Sequence, residues 1–287
     1  MSEICNACPR KCGVERGKGF CRAPKEFLVS RVALHPYEEP PISGTNGSGT
    51  VFFGGCNLGC VYCQNKAISR GGKGEILSET ELAASVLSLC EQGAHNINFV
   101  TPSHYFLSLA GFLEKYRDRI DVPIVCNCGG YEPLDALRAL DGLVDIYLPD
   151  FKYYSPELSA KYSHARDYFE IASLAISEMH RQQPRLVYDG DLLKKGLVVR
   201  HLVLPGCRKD SIKVLDELCK IAPTRSLLLS LMSQYTPDFV DSEKYPELGR
   251  RVTSFEYESV KKHAIELGFE GFFQLRDSAS AKYTPKF

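Results

Sequence analysis

The stretch that decides the fold is TVFFGGCNLGCVYC, residues 50–63. Its first half is a run of β-branched and aromatic residues, which predicts a buried strand. Its second half places Cys56, Cys60 and Cys63 on a glycine-containing loop directly after that strand. Thiolates are the ligands of iron–sulfur clusters, and three of them in this C-x3-C-x2-C spacing can bind three irons of a [4Fe–4S] cubane. No fourth cysteine lies nearby in the sequence, so we expect one iron to be open to a small molecule.

The rest of the chain repeats the step from strand to helix. Strand-like runs occupy residues 50–55, 97–101, 124–128, 144–151, 197–206 and 227–233. Helical patterns occupy residues 78–93, 108–119, 133–140, 167–182 and 210–221, and a last helix and strand are predicted at 254–268 and 269–276. Apolar strands that are each followed by a helix predict an α/β fold with a parallel sheet. Six such units favour a partial (β/α)6 barrel over a closed eightfold barrel, and a flat doubly wound sheet is the alternative.

Two regions are expected from the composition. Residues 1–34 hold four cysteines among glycines and prolines, and we expect a small metal-binding segment there, because so short a stretch cannot bury a core of its own. Residues 35–287 are expected to form the barrel with a C-terminal extension. In parallel sheets the chemistry gathers at the carboxyl ends of the strands, so candidate residues are sought in the loops that follow them.

Charge and hydropathy exclude several classes of protein. The 35 basic and 35 acidic side chains cancel, so no bulk charge favours nucleic acid or an anionic membrane. No apolar run is long enough to cross a bilayer, and the first residues resemble neither a secretory signal nor a transit peptide. We therefore expect a cytoplasmic protein. Twelve cysteines in such a chain indicate metal binding rather than disulfides.

A second group of cysteines lies near the N-terminus. Its members are Cys5, Cys8, Cys12 and Cys21. Four thiolates can close a tetrahedral zinc site or bind an auxiliary [4Fe–4S] cluster, and the spacing does not separate the two. The irregular surroundings slightly favour a structural zinc. The other five cysteines lie in apolar surroundings and are predicted to be small buried hydrophobic residues: Cys90, Cys126, Cys128, Cys207 and Cys219.

With Tyr62 before its third cysteine and a strand before its first, the CNLGCVYC loop resembles the signature of the radical S-adenosylmethionine (SAM) superfamily. The alternative is a zinc site completed by a distant ligand such as His35 or His104. Within the superfamily the chain is similar to pyruvate formate-lyase activating enzymes, and most similar to their PflX-type relatives. The similar segments are residues 47–65, 93–105, 144–153, 198–206 and 229–237.

The resemblance implies a radical SAM oxidoreductase. In such enzymes the open iron binds the amino and carboxylate groups of SAM, and one electron cleaves SAM to methionine and a 5′-deoxyadenosyl radical that abstracts hydrogen from a substrate. A reductant such as flavodoxin or ferredoxin is then expected as a partner. The substrate is either a glycyl radical protein, which would make the chain an activase, or a small molecule or peptide. The alternative function is a metal-stabilised iron–sulfur or electron-transfer protein without SAM chemistry.

Residues near the SAM methionine group are implied by the same resemblance. Asp150 and Lys152 match an Asp-Leu-Lys element after the fourth strand, and Arg200 matches a fifth-strand residue that contacts SAM. Neighbours on a strand point to opposite faces, so Arg200 facing the barrel interior would turn His201 toward the helices. We therefore expect His201 to be a hydrogen-bonded core residue.

Three further residues are implied as SAM contacts. Thr101 and Ser103 stand where the family has a Gly-Gly-Glu-Pro element, and a hydroxyl from either would replace the missing glutamate. Asn127, at the end of the third strand, is a candidate for the ribose or carboxylate. His104 and Tyr105 are expected near the same cavity.

An acidic segment precedes the first barrel strand. His35, Glu38 and Glu39 could bind a polar substrate or a metal, but their place before two prolines favours a solvated turn.

Overall fold

The computed structural model describes residues 4–70 and 72–274. Its strands in this range are β1 (Phe27–His35), β2 (Ser48–Phe53), β3 (Glu75–Leu77), β4 (Ile97–Val100), β5 (Ile124–Cys128), β6 (Ile146–Pro149), β7 (Val187–Asp189), β8 (Leu192–Leu202), β9 (Leu228–Met232) and β10 (Gly271–Phe273). Its α-helices are α1 (Pro40–Ser43), α2 (Lys66–Ser69), α3 (Glu79–Glu91), α4 (Phe106–Tyr116), α5 (Leu134–Arg138), α6 (Pro156–Ser163), α7 (Tyr168–Gln182), α8 (Arg208–Ile221) and α9 (Ser254–Glu266).

One open, largely parallel sheet carries the fold. Strands β2, β4, β5, β6, β8, β9 and β10 pair in that order, each parallel to the next. The antiparallel strands β1 and β3 extend the sheet beyond β2, so β3 and β10 form its two edges in the described part of the chain. This sheet confirms the predicted α/β class, and it is not closed.

The predicted units correspond to observed elements. The six predicted strands are β2, β4, β5, β6, β8 and β9, and the predicted tail adds α9 and the parallel strand β10. The structure also shows β1, which the sequence did not predict. A register shift between Val29 and Arg31 interrupts β1, which explains why its pattern does not alternate regularly.

Helix α3 begins as the sequence pattern indicates. Ser78 accepts a hydrogen bond from the Glu81 backbone amide, and the Glu81 side chain accepts one from the Ser78 amide. This capping box satisfies two amides that the first helical turn leaves without partners. Gly93 follows the helix with a φ of 82°, a conformation that glycine adopts without strain.

An apolar plug covers the N-terminal end of the partial barrel. Ile42 of α1 packs with five inward-facing strand residues, Val125, Ile146, Leu148, Val198 and Leu228. Burying one such side chain contributes about 1.5–3 kcal/mol. Asn127, Arg200 and Ser230 lie two residues further along three of the same strands, and two residues in a strand return to the same face. The plug therefore separates the polar interior from solvent at this end.

The predicted boundary between residues 34 and 35 falls inside β1. Since β1 pairs with β2 from Val29 to His35, residues on both sides of that boundary belong to the same sheet. The division into 1–34 and 35–287 stays a prediction. Among the described residues, no helix combines the length and apolar character needed to span a bilayer.

Candidate functional site

A cavity of about 580 Å³ opens between the cysteine loop and the barrel interior. Its lining includes Cys56, Cys60 and Cys63 from the loop after β2. Thr101 after β4 and Asn127 of β5 line it as well. Asp150 and Lys152 after β6 and Arg200 of β8 also face it. Seven of these eight residues lie at or after the carboxyl ends of parallel strands, as the topology of α/β proteins leads us to expect. Arg200 lies two residues before the end of β8.

The cysteine loop is held in a tight conformation. Gly55 and Gly59 have φ angles of 84° and 57°, which side chains other than glycine rarely adopt. A Cβ atom on Gly55 would lie 2.7 Å from the Cys21 carbonyl oxygen, so the loop packs directly on the N-terminal segment. Burial, followed by charge repulsion from the neighbouring Cys60, raises the pKa of Cys56 to about 12. A bound cation would reverse this effect, because it favours the thiolate.

The donor set of this loop fits an iron–sulfur cluster. Three thiols face one cavity, and they are soft ligands of the kind that iron–sulfur clusters require. In the described range, no three His, Cys, Asp or Glu side chains are grouped so that they could hold one metal ion. Each thiolate of a cubane binds a different iron, so a cluster does not require that the three sulfur atoms meet at one point. The arrangement therefore fits a cluster better than a single zinc ion.

A chain of buried hydroxyl groups leads to one of these sulfur atoms. Ser163 Oγ lies 2.9 Å from Cys60 Sγ and 2.8 Å from Tyr153 Oη, which lies 2.6 Å from Tyr62 Oη. Burial, above all, raises the pKa of both tyrosines, so they stay protonated. A metal-bound thiolate only accepts hydrogen bonds, so with Cys60 as a ligand Ser163 donates to it, Tyr153 to Ser163, and Tyr62 to Tyr153. Sequence spacing did not predict this chain, because 103 residues separate Ser163 from Cys60.

We expect the Ser163→Ala substitution to lower the reduction potential of the cluster. A hydrogen bond to a ligating sulfur stabilises the more negative, reduced form, and alanine removes it. The measurement is a potentiometric titration of the reconstituted protein monitored by electron paramagnetic resonance. Ser173→Ala is the matched control, since its hydroxyl donates to Phe169 O within α7. Equal potentials for Ser163→Ala and wild type would contradict the assigned role.

Asp150 organises two buried cations on the rim. Its Oδ2 accepts a hydrogen bond from Lys152 Nζ at 2.5 Å, and its Oδ1 accepts one from Arg200 Nε at 3.0 Å. Burial alone would raise the pKa of Asp150, but the charges of Arg200 and Lys152 outweigh it and hold the pKa below its usual range. Arg200 Nη2 also donates to Asn127 Oδ1 at 2.6 Å. These four predicted residues therefore form one network.

His201 turns away from this network. Its Nδ1 lies 2.6 Å from the Phe151 carbonyl oxygen, and the ring is buried. Burial lowers its pKa to about 4, so it stays neutral near pH 7. The strand alternation expected for Arg200 and His201 is thus observed.

Glu38 and Glu39 line the main cavity. The prediction that they belong to a solvated turn was therefore wrong. The Glu38 side chain is only 10% exposed, and its Oε1 accepts hydrogen bonds from Asn98 and Asn127 at 3.1 and 3.4 Å. The sequence did not reveal this burial, because it depends on α1 closing the end of the barrel. Burial, followed by repulsion from Glu39, raises the pKa of Glu38 to about 7, although Arg200 opposes the shift.

The pKa of Glu38 predicts a pH dependence of stability. Since this pKa lies higher in the folded than in the unfolded protein, the unfolded chain loses its proton first as the pH rises. The contribution of Glu38 is therefore present below its unfolded pKa and is lost as the pH rises through about 7. We expect Glu38→Gln to gain free energy of unfolding relative to wild type across this interval, measured by chemical denaturation at a series of pH values. A difference independent of pH would contradict the assignment.

Thr101 and Ser103 differ in their surroundings. Thr101 lines the cavity and has a φ of 59°, a strained value for a β-branched residue. Ser103 is buried, and its Oγ donates to Glu132 Oε1 at 2.8 Å. Burial raises the pKa of Glu132 to about 7. The hydroxyl of Ser103 is thus already bonded to Glu132, and its role toward SAM stays a prediction.

His104 and Tyr105 do not line this cavity. They line a separate cavity of about 260 Å³ beside the N-terminal segment. His104 Nε2 lies 2.9 Å from the Gly54 carbonyl oxygen, and Tyr105 Oη accepts a hydrogen bond from the Leu28 amide at 3.1 Å. The expectation that they lie near the main cavity was wrong, because both belong to the short helical turn Ser103–Tyr105 and line the second cavity instead.

The four N-terminal cysteines interact through their charges, although in the described part of the chain no three of them are grouped so that they could hold one metal ion. Burial raises the pKa of Cys8 to about 12, and repulsion from Cys21, Cys12 and Cys5 adds to the shift. Arg10 fastens this segment to the barrel, since its guanidinium donates to Asn57 O at 2.7 Å and to Ser163 O at 3.0 Å. The N-terminal segment therefore contacts both the cysteine loop and the residue that hydrogen-bonds to Cys60.

The five other cysteines have mixed surroundings. Cys126 and Cys128 are buried, whereas Cys90, Cys207 and Cys219 are partly buried and pack against the core. Cys128 also lines the main cavity. It is thus not solely a core residue.

Comparison with known proteins agrees with this geometry. The family model of the radical SAM superfamily matches residues 50–197, which include most of β2, the cysteine loop and strands β3 to β7. MJ0674, a protein of Methanocaldococcus jannaschii described as uncharacterized, is 30% identical over 276 residues, covering 92% of this chain and 73% of that protein.

Two solved structures share the fold. HydG, a maturase of the [FeFe]-hydrogenase, has a TM-score of 0.53 and 10% identity, with 81% of this chain and 53% of that chain covered. Streptococcus suis SuiB bound to the precursor peptide SuiA has a TM-score of 0.51 and 8% identity, with 74% and 43% covered. This chain thus spans about half the length of each, and the likeness concerns the fold alone.

Proposed function

The chain belongs to the radical SAM superfamily, and on that premise we propose that it cleaves SAM reductively and removes hydrogen from a substrate held in the barrel. The observation that supports this most is that Cys56, Cys60 and Cys63 face the same cavity as the Asp150–Arg200 network. The family implies a [4Fe–4S] cluster and SAM as cofactors. When bound, they supply one-electron cleavage of the sulfonium bond and a carbon radical that takes hydrogen from the substrate.

The residues of the chain have separate tasks in this proposal. The three thiolates would hold the cluster, and the loop would leave one iron without a cysteine ligand. Asp150 keeps Arg200 and Lys152 in place, so two cationic side chains are fixed where the SAM carboxylate is expected. Asn127 and Thr101 offer amide and hydroxyl groups for the polar parts of SAM. The apolar plug around Ile42 keeps bulk water from entering through that end of the barrel.

Anaerobic reconstitution tests the proposal. The cluster-loaded protein is reduced with dithionite, supplied with SAM and assayed for 5′-deoxyadenosine and methionine. We expect both products in equal amounts. A cluster-loaded, reducible protein that forms neither would refute the enzyme and favour the alternative, an iron–sulfur or electron-transfer protein without SAM chemistry.

The substrate class separates the finer versions of the proposal. The PflX-type resemblance supports a glycyl radical activase, in which a glycyl loop of a partner protein enters the cavity. The competing version is a small-molecule or peptide substrate. Binding of a synthetic glycyl-loop peptide to the SAM-loaded protein, followed by a glycyl radical signal on reduction, supports the activase. Its absence at saturating peptide favours the other version.

We propose that the N-terminal cysteines hold a separate metal; since no three of the described thiols are grouped so that they could hold one metal ion, an auxiliary cluster fits this arrangement at least as well as the zinc that the sequence favoured. What supports this is the charge interaction among Cys5, Cys8, Cys12 and Cys21 in a segment that contacts the cysteine loop. Metal analysis of a Cys5→Ala/Cys8→Ala variant decides: loss of one zinc per chain supports zinc, and loss of about four irons indicates a cluster. A cytoplasmic flavodoxin or ferredoxin is the expected electron donor.

A further inference from the structure

The charges in the main cavity do not balance. Among the described residues that line it, the carboxylates are Glu38, Glu39 and Asp150, and the lysine and arginine side chains are Lys152 and Arg200. Both cations are held by Asp150, at 2.5 and 3.0 Å. Arg200 approaches Glu38 only to 3.7 Å, between Nη1 and Oε2. The two glutamates therefore share one cation, and when both are ionised the three carboxylates exceed the two cations by one negative charge.

Two acceptor atoms beside Glu38 have no donor among the described residues. Glu39 Oε2 is buried without a hydrogen-bond partner. Asn98 is fully buried, and its Nδ2 donates to Glu38 Oε1, but its Oδ1 has no partner. Buried polar atoms of folded proteins are nearly always paired, so each exception requires an explanation. Of the two residues, Glu39 lines the main cavity, so its Oε2 is the unpartnered acceptor that a ligand in the cavity can reach.

One class of ligand satisfies both the charge and the Glu39 acceptor. An ammonium group brings three donors, no acceptor and one positive charge. A hydroxyl group would satisfy an acceptor but not the charge, and a carboxylate would be repelled by both glutamates. The segment around Glu38 and Glu39 faces the same cavity as the three cysteines, so a ligand bound there shares the cavity with the expected cluster.

We propose that the substrate carries a cationic amino group that binds at Glu38 and Glu39, next to the unpartnered Oε2 of Glu39. That the bound molecule is a substrate rests on the proposed function. The binding of an amino group at this site does not depend on it. The amino group belongs either to a free amine or to a lysine side chain of a peptide, and the two sources are separated below.

Binding to the cluster-loaded protein, without SAM, tests this site. The probes in equilibrium dialysis are 1-pentylamine for a free amine and Nα-acetyl-lysine amide for a lysine side chain. Their matched neutral and anionic analogues are 1-pentanol and pentanoate. We expect at least one amine to bind about tenfold or more tightly than 1-pentanol. The tighter of the two amines identifies the source. Equal binding of 1-pentylamine, Nα-acetyl-lysine amide and 1-pentanol would overturn the proposal.

Substitution locates the binding. Glu39→Gln keeps the size of the side chain and removes its charge, and we expect it to weaken amine binding about tenfold. Glu266→Gln, on the exposed end of α9, is the control and leaves it unchanged. Full amine binding by Glu39→Gln overturns the assignment.

A measurement on the wild-type protein keeps the test valid if a variant does not fold. Glu38 ionises near pH 7 under the influence of Glu39, Arg200 and Asp150, whereas an alkyl amine stays cationic there. Amine affinity should therefore rise from about pH 6 to about pH 8, and a flat profile contradicts the site. SAM cleavage is assayed separately, so a protein that cleaves SAM without binding amines refutes this inference alone. One that binds amines without cleaving SAM refutes the proposed function alone.

Discussion

Replacing any one of Cys56, Cys60 and Cys63 by alanine is expected to abolish 5′-deoxyadenosine formation. The three thiolates are the only ligands that the loop offers to the irons, and each would hold a different one. Loss of one leaves a cluster with two protein ligands, which dissociates. Iron analysis after reconstitution should show a loss of about four irons per chain, together with loss of product.

The control for this experiment is Cys219→Ala. Cys219 lies in α8, packs against the core and does not line the main cavity among the residues described. It should retain full iron content and product formation. If the Cys60→Ala variant retained its four irons, or Cys219→Ala lost them, the assignment of the cluster to residues 56–63 would be wrong.

The second large effect is expected at Asp150. Asp150→Ala leaves Arg200 and Lys152 buried, each only 15–16% exposed, without their common carboxylate. Removing one partner of a buried ion pair typically costs about 3–5 kcal/mol of folding free energy. We expect a loss of this order in the free energy of unfolding, measured by urea denaturation, and loss of SAM binding.

Two variants keep this prediction interpretable. Asp150→Asn preserves the shape and tests SAM binding if the alanine variant does not fold. Glu79→Gln removes an exposed ion pair, in which Glu79 Oε2 lies 3.3 Å from Lys115 Nζ. It should leave the free energy of unfolding unchanged, because solvent screens such pairs. An Asp150→Ala variant as stable as wild type would contradict the network.

The sequence predicted those features that depend on local pattern. The strand before Cys56 and the spacing of the cysteines lie within fourteen residues, and the capping box at Ser78 spans four. The opposite orientations of Arg200 and His201 follow from the period of a strand. Each of these needs no information about distant parts of the chain.

Features that depend on tertiary contacts could not be read from the sequence. Glu38 resembles a solvated turn until α1 inserts Ile42 into the barrel and buries the preceding residues. Ser163 ends an ordinary short helix, and its contact with Cys60 arises only when α6 packs beside the loop. Likewise, His104 follows a strand as site residues often do, but a turn of 3-10 helix directs it elsewhere.

The central claim is that the three-cysteine loop holds a cluster whose open iron binds SAM. The most direct measurement is electron–nuclear double resonance on the reduced, cluster-loaded protein with SAM labelled with 15N in its amino group and 17O in its carboxylate. We expect hyperfine coupling of both labels to the cluster. A reduced cluster whose spectrum shows no coupling to either label, and does not change when SAM is added, would contradict the claim.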